Sequence, residues 1–193
     1  TKDLYIDIGA ASKAAAEDKV SLGDYGVFDS AVVEFGDGLI KAKAIDDRVG
    51  CAALLKLIED KPPIDTWFCF TVQEEVGLRG AASMAYALDP GFAMVLEGTT
   101  AADLAEVEGG KAVCRVRGGV VLPFMDGATI YDAELFELLR NACDKRGVRW
   151  QTKTRVAGGT DAGRIHKSRA GVRVCAAAAP VRYIHSPSSV AAV

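Results

Sequence analysis

Two adjacent carboxylates, Glu74 and Glu75, follow directly after a run of strand-forming residues at positions 67–72. Unpaired negative charges at the end of a buried strand repel each other and resist removal from water. A bound cation would relieve that repulsion. The pair therefore indicates either a cation site or a solvated turn in which Arg79 is the counter-ion.

Three further polar clusters follow predicted strands or a predicted hairpin, namely Asp46-Asp47, Glu97 and His185. Ligands of open α/β sheets bind at the carboxyl ends of the strands, so these groups are expected along one edge. Their oxygen and nitrogen atoms suit zinc, cobalt or manganese. One carboxylate of the 74–75 pair could bind the metal while its neighbour acts as a base on metal-bound water.

Each cluster also has a purely structural interpretation. Residues 46–48 could cap the following helix, because aspartate is favoured at helix N-termini. Residues 158–161 (GGTD) could form a turn and a second cap, and a single histidine such as His185 is more often a hydrogen-bonded structural residue than a ligand. The placement of all these clusters at strand ends of one α/β pattern favours the metal site.

The elements that would position these groups alternate between strands and helices. Strands are predicted at 4–8, 66–72, 92–97, 112–118 and before His185, with a hairpin around Gly36-Asp37-Gly38. Helices are predicted at 11–18, from Ala44 to Lys61-Pro62-Pro63, and at 79–88 and 130–146, with a further helix opened by residues 158–166. This alternation predicts an α/β fold with a mostly parallel sheet sandwiched by helices.

Composition limits the partners that the chain is expected to have. Its 193 residues are half hydrophobic and one quarter charged, which is typical of a globular domain. A net charge of −3 gives no reason to expect a nucleic acid or an acidic membrane as partner. No apolar run approaches the ~20 residues of a membrane span. Five scattered cysteines favour a reducing compartment, and we expect a cytoplasmic protein.

Six stretches resemble the metal-dependent aminopeptidases of the glutamyl aminopeptidase and tetrahedral aminopeptidase family, some of whose members carry endoglucanase or cellulase labels. They run in the family's order and span nearly the whole chain: LYIDIGA (4–10), VSLGDYGVF (20–28), KAIDDRVGCAAL (43–54), QEEVGLRGA (73–81), GGTDAGRIHKSRAGV (158–172) and PVRYIHSP (180–187). The resemblance implies a zinc-exopeptidase-like fold of the α/β class.

The resemblance also implies a set of metal ligands. Asp46 is expected to bridge two metal ions, and the peptide bond between it and Asp47 is expected to be cis. Glu75 and His185 are expected to bind one of these ions. Glu97 is expected to bind the other, at a position where the family often has aspartate.

Other residues of the matching stretches are assigned to the reaction and the substrate. Glu74 is implied as the general base and acid that acts on the metal-bound water. Thr160 and Asp161 are implied on the substrate side of the cleft, without binding metal. His166 lies where the family does not use a metal ligand, so a structural role is expected for it.

One family ligand, a histidine in a His-x-Asp motif upstream of an inserted β-domain, is not found in this sequence. We therefore interpret residues 1–43 as the C-terminal part of that inserted β-rich domain and 44–193 as a catalytic α/β domain that is incomplete at both ends. With four of the five ligands, this segment alone is expected to bind metal weakly and to be inactive or nearly so.

The implied function is a di-metal aminopeptidase that removes N-terminal residues from peptides, using two divalent ions of zinc, cobalt or manganese. Similar proteins form tetrahedral dodecamers, and an open sheet edge would favour self-association, so a homo-oligomer is expected. Two alternatives remain. A glycoside hydrolase could place Glu74 and Glu97 about 5–10 Å apart across a sugar, but it leaves Asp46 and His185 unexplained. An inactive fragment could serve as an oligomerisation or binding module.

Overall fold

The computed structural model describes residues 4–107 and 111–193 of the chain. Within them, five helices and seven strands alternate along the sequence. In chain order they are α1 (Lys13–Glu17), β1 (Val33–Phe35), β2 (Leu39–Ala42), α2 (Ile45–Asp60), α3 (Arg79–Leu88), β3 (Phe92–Thr100), β4 (Val120–Val121), α4 (Ala133–Arg146), β5 (Trp150–Gln151), α5 (Ala162–Ile165), β6 (Arg173–Val181) and β7 (Ser189–Ala192).

A four-stranded sheet in the order β3-β6-β4-β5 forms the centre of the molecule. Strands β3 and β6 are parallel over nine residue pairs, from Phe92–Arg173 to Thr100–Val181. Strands β4 and β5 are also parallel, whereas β4 and β6 are antiparallel. Helices α2, α4 and α5 contact the strands, and α3 packs against α5. The predicted α/β class with a mostly parallel sheet is confirmed.

A second, three-stranded antiparallel sheet has the order β1-β2-β7. The predicted hairpin joins β1 to β2, and its glycines Gly36 and Gly38 both have positive φ, which suits a tight turn. Strand β7 then pairs with the other edge of β2, from Leu39–Ala192 to Ala42–Ser189. The small sheet therefore joins residues 33–42 to residues 189–192.

The helix predicted at 130–146 forms close to its predicted position, as α4. Asp132 caps α4 by accepting a hydrogen bond from the Leu135 N–H at 3.0 Å, and Gly147 ends the helix with φ of 65°. The Arg173 guanidinium contacts the Asp132 carboxylate at 2.7 Å, which joins the start of α4 to the start of β6.

The core between the large sheet and helices α3 and α5 is built from small side chains. Ala81 and Ala85 of α3 pack with Ile165 of α5 and with Val174 and Ala176 of β6. Alanine on both surfaces allows the helices to approach the strands closely, because there is little side-chain volume between the two backbones. Close packing here fixes α5, and with it the loop that precedes α5.

Three predicted strands are absent from the structure. Residues 66–72 form no strand, because no other described segment pairs with them, and a cavity separates residues 66–71 from β3. Residues 4–8 are exposed and also lack a paired neighbour among the described residues. Residues 112–118 are largely buried yet irregular. The N–H groups of Val113 and Cys114 both donate to the carbonyl of Ala101, so burial rather than pairing explains this apolar run.

None of the helices in the described residues is long and apolar enough to cross a membrane.

Candidate metal centre

A cavity of about 1090 Å³ opens between the extended segment 64–71 and strand β3. Helix α2, the turn after the extended segment, the loop before α5 and the turn after β6 complete its walls. Most of the ionisable groups on these walls are acidic: Asp46, Asp47, Asp65, Glu74, Glu75, Asp89, Glu97 and Asp161, beside Arg48, Lys153 and His185. The cavity therefore combines apolar walls with many acidic groups.

Asp46 reaches the cavity because the chain is not helical where α2 begins. The peptide bond between Asp46 and Asp47 is cis, as predicted. Asp47 Oδ1 accepts a hydrogen bond from the Gly50 N–H at 2.9 Å and so caps the first turn. The Asp46 carboxylate lies over Gly98 of β3, where an added Cβ would be only 2.9 Å from Asp46 Oδ1. Glycine at 98 is what allows this approach.

Asp46, Glu75 and His185 converge at the rim of the cavity, each with one ligand atom within 4.8 Å of the others. His185 Nε2 lies 3.4 Å from Asp46 Oδ2 and 3.3 Å from Glu75 Oε2. The three residues come from the start of α2, the turn before α3 and the turn after β6. The structure thus brings together three of the four residues predicted to bind metal.

Burial and mutual repulsion raise the pKa values of the carboxyl groups at the start of α2. The pKa of Asp46 is raised, first by burial and then by the negative charge of Glu75, while His185 opposes the change. Burial also raises the pKa of Asp47 to about 7, against the hydrogen bond from Gly50. Carboxylates held together in this way fit a divalent cation, which would favour their charged forms.

Glu74 occupies the cavity wall beside this cluster. Its pKa is raised to about 7, chiefly by burial and further by the negative charges of Glu75, Asp161 and Asp46. A carboxyl group that titrates near neutral pH can both accept and return a proton, which is what a general base and acid must do. Glu74 therefore has the properties of a base and acid, whereas the carboxylate of Glu75 contacts the His185 ring.

Glu97, the fourth predicted ligand, lines the same cavity from β3 but lies outside the cluster of three. Burial, followed by the charge of Asp46, raises the pKa of Glu97 to about 10, and the ammonium of Lys153 opposes this rise. Lys153 is itself only 7% exposed and donates a hydrogen bond to the Ala157 carbonyl at 3.0 Å. Sequence reasoning missed Lys153, because nothing in the polar stretch TKTR marks one residue as buried.

Asp161 and Thr160, the two residues predicted on the substrate side, differ from each other in their surroundings. Asp161 lines the cavity, and its Oδ2 accepts a hydrogen bond from the Thr71 hydroxyl. Thr160 is almost fully buried, and its hydroxyl interacts with Tyr131 and with the Ala162 N–H. His166 Nδ1 lies 2.7 Å from the Ala162 carbonyl, which agrees with the structural role predicted for it.

The whole chain, residues 1–193, matches the family described as M42 glutamyl aminopeptidase. The chain belongs to this family. It is 31% identical over 195 residues to the glutamyl aminopeptidase of Lactococcus lactis, covering 97% of this chain and 53% of that protein. An aminopeptidase structure from the archaeon Desulfurococcus kamchatkensis is 35% identical with a TM-score of 0.91, over 96% of this chain and 54% of that one.

A third similar protein is described as forming large assemblies. The TET1 peptidase of Pyrococcus horikoshii, described as assembling into a tetrahedron or a large octahedral shell, is 27% identical with a TM-score of 0.77. The match covers 96% of this chain and 55% of that structure. The chain spans about half the length of the relatives it matches.

Proposed function

We propose that these residues form the larger part of the active site of a metal-dependent aminopeptidase, which hydrolyses N-terminal residues from peptides. The observation that carries the proposal is the convergence of Asp46, Glu75 and His185 within 4.8 Å at the rim of a cavity. Membership of the M42 family supports the same reaction.

Asp46, Glu75 and His185 would hold one divalent ion, and Glu97 would contribute to a second ion that Asp46 shares. Carboxylate oxygens and an imidazole nitrogen are ligands suited to zinc, cobalt or manganese. When bound, such ions polarise a scissile carbonyl and lower the pKa of coordinated water. Burial raises the pKa values of Asp46 and Glu97, and a cation beside these acids would favour their charged forms.

Glu74 would accept the proton of the attacking water and return it to the leaving amine. Its position on the cavity wall and its pKa of about 7 suit both steps. The apolar part of the cavity would exclude bulk water from around the reacting groups.

The two histidines of the chain provide a matched test of the metal site. We expect His185→Gln in the full gene product to lower the bound zinc or cobalt and the release of N-terminal residues from peptides. His166→Gln is the control, because within residues 4–107 and 111–193 the His166 ring forms its hydrogen bond with the Ala162 carbonyl of its own helix and does not line the cavity. Equal metal content in the two variants would refute the assignment of His185.

A glycoside hydrolase is the second candidate, with Glu74 and Glu97 on either side of a sugar. It requires no metal ligand, so it gives no reason for Asp46 and His185 to meet Glu75. Parallel assays with peptide and oligosaccharide substrates in the presence and absence of chelator separate the two reactions, because only the peptidase should lose activity with its metal.

We also propose that the protein self-associates. Several large apolar side chains of the extended segment and the turn after it are exposed, including Trp67 at 73% and Val72 at 68%. Exposed apolar surface of this kind is typical of a region that another polypeptide covers. Light scattering of the purified chain is expected to give a mass of at least a dimer, and a strictly monomeric mass across the micromolar range would contradict this.

A further inference from the structure

A connected path of buried hydrogen bonds begins in the loop between β4 and α4. Asp126 is 4% exposed, and its Oδ1 accepts hydrogen bonds from the N–H groups of Ala128 and Thr129, both at 2.8 Å. Its Oδ2 accepts the Tyr131 hydroxyl at 2.6 Å. These three donors hold the Asp126 carboxylate in one orientation, and the carboxylate in turn fixes the Tyr131 hydroxyl.

The path continues from Tyr131 into the loop before α5. The hydroxyl oxygens of Tyr131 and Thr160 lie 3.1 Å apart. Because Tyr131 donates its proton to Asp126, its oxygen accepts from Thr160, and Thr160 in turn accepts the Ala162 N–H at 3.1 Å. Every hydroxyl in the path therefore has a defined donor and acceptor role, which fixes Thr160 at the start of α5.

Asp161 is the next residue, and it connects this fixed loop to the other side of the cavity. Asp161 is 9% exposed, and its Oδ2 accepts the hydroxyl of Thr71. Asp161 Oδ1 has no hydrogen-bond partner within the described part of the chain, so the contact with Thr71 depends on a single carboxylate oxygen.

Thr71 lies near the end of the extended segment, where little else fixes the chain. Among residues 4–107 and 111–193, the bond from Thr71 to Asp161 is the one hydrogen bond that joins residues 62–71 to the rest of the protein. The turn that follows is tied to the start of α3, since the Val72 and Gln73 carbonyls accept the N–H groups of Gly80 and Arg79. Glu74 and Glu75 lie in that turn.

We propose that Thr71 and Asp161 are positioning residues: their hydrogen bond transfers the rigidity of the Asp126–Tyr131–Thr160 network to the turn that carries Glu74 and Glu75. The proposal rests on the proposed function, in which the Glu74 carboxylate must lie within reach of the reacting water. Without this bond, the turn is held only by its backbone hydrogen bonds to the start of α3. Glu74 would then occupy its working position for a smaller fraction of the time.

The test compares two Thr→Val substitutions in the same segment of the full gene product. Thr71→Val keeps the side-chain shape but removes the hydroxyl, and we expect kcat to fall about 10- to 100-fold while KM stays within about twofold, since small displacements of catalytic groups carry penalties of this order. Thr66→Val is the matched control on the same wall of the cavity, because the hydrogen bond of the Thr66 hydroxyl among the described residues goes to the Ile64 carbonyl of its own segment. Thr71→Ser restores the hydroxyl and should recover most of kcat.

Amide hydrogen exchange supplies a measurement that does not depend on activity. In Thr71→Val, we expect faster exchange in residues 66–76 and unchanged exchange in α4. Unchanged exchange in residues 66–76, or a rise in KM without a fall in kcat, would overturn the proposal. A failure of Ser to rescue would also overturn it. If the wild-type protein cleaves no peptide, the proposed function fails, while the exchange comparison still decides whether this bond fixes the turn.

Discussion

Replacing Gly98 with alanine is expected to weaken divalent-metal binding without touching any proposed ligand. An alanine Cβ at this position would lie 2.9 Å from Asp46 Oδ1, 3.1 Å from Asp46 Cβ and 3.2 Å from Asp46 Cγ. Non-bonded carbon atoms prefer separations of about 3.5–4.0 Å, so Asp46 would have to retreat by roughly 0.4 Å. Strand β3 cannot yield instead, because Gly98 is paired with Ala178 inside the parallel ladder.

The size of this displacement determines the expected loss of metal affinity. Metal–ligand distances are held to within about 0.2 Å, so a retreat of roughly 0.4 Å takes the Asp46 carboxylate out of its coordinating position. Loss of an orienting contact around a metal site typically lowers affinity by about 10- to 100-fold, and we expect a decrease in that range for zinc and cobalt.

Titration of the full gene product against a competing chelator measures the affinity directly. Gly91→Ala is the matched control, because a Cβ at Gly91, just before the same strand, meets nothing within 4 Å. Equal affinities in the two variants, with both proteins folded by circular dichroism, would refute the reasoning. In that case the Asp46 carboxylate would not be a ligand in its present position.

Three other measurements test the roles of Glu74 and Glu75, the raised pKa values and the packing of the core. Glu74→Gln should abolish nearly all turnover and leave the metal content close to wild type, whereas Glu75→Gln should lower the metal content; equal metal loss would mean that the two roles are exchanged. The metal-free protein should lose stability as pH rises from about 4 to 7 and, through Glu97, on towards 10. The raised pKa values of Asp47, Glu74 and Glu97 mean that the folded state binds more protons than the unfolded state across this range. Urea unfolding at several pH values measures this slope, which Glu97→Gln should flatten above pH 7. Leu122→Ala, at a side chain that is 1% exposed, should lower the free energy of unfolding by about 2–5 kcal/mol. Leu138→Ala, at a side chain that is 64% exposed, should have little effect in the same denaturation assay.

The positions of the candidate metal ligands could be predicted because they depend on chain topology. Polar residues that follow strands are expected at one edge of an α/β sheet, and this expectation grouped Asp46, Glu75 and His185. In the structure, only His185 follows a strand of the parallel pair, β6, whereas Asp46 follows β2 of the antiparallel sheet. Helix α4 could also be predicted from the sequence, since aspartate, as at position 132, and glycine, as at position 147, are residues that typically begin and end helices.

The features that sequence reasoning missed depend on contacts between distant segments. Lys153 is one polar residue of the polar stretch TKTR, and Asp126 is a single acid within the mostly apolar stretch LPFMDGATIY. Only the packing of loops around these two residues makes them buried. The 66–72 segment has the composition of a strand, but pairing requires a neighbour that local sequence does not specify. The same limit explains why the pairing of β2 with β7 was not predicted.

The pairing of β2 with β7 also affects the order in which the protein folds. The register joins Leu39 to Ala192, so the small sheet cannot be completed until residue 192 has been made and has met the hairpin. Closing so long a loop is entropically costly and slow, whereas the β1–β2 hairpin closes locally. During synthesis on the ribosome, the hairpin would therefore expose the free edge of β2 until β7 emerges. An expression boundary placed at residue 43 would make this exposure permanent, because it separates β7 from its partner.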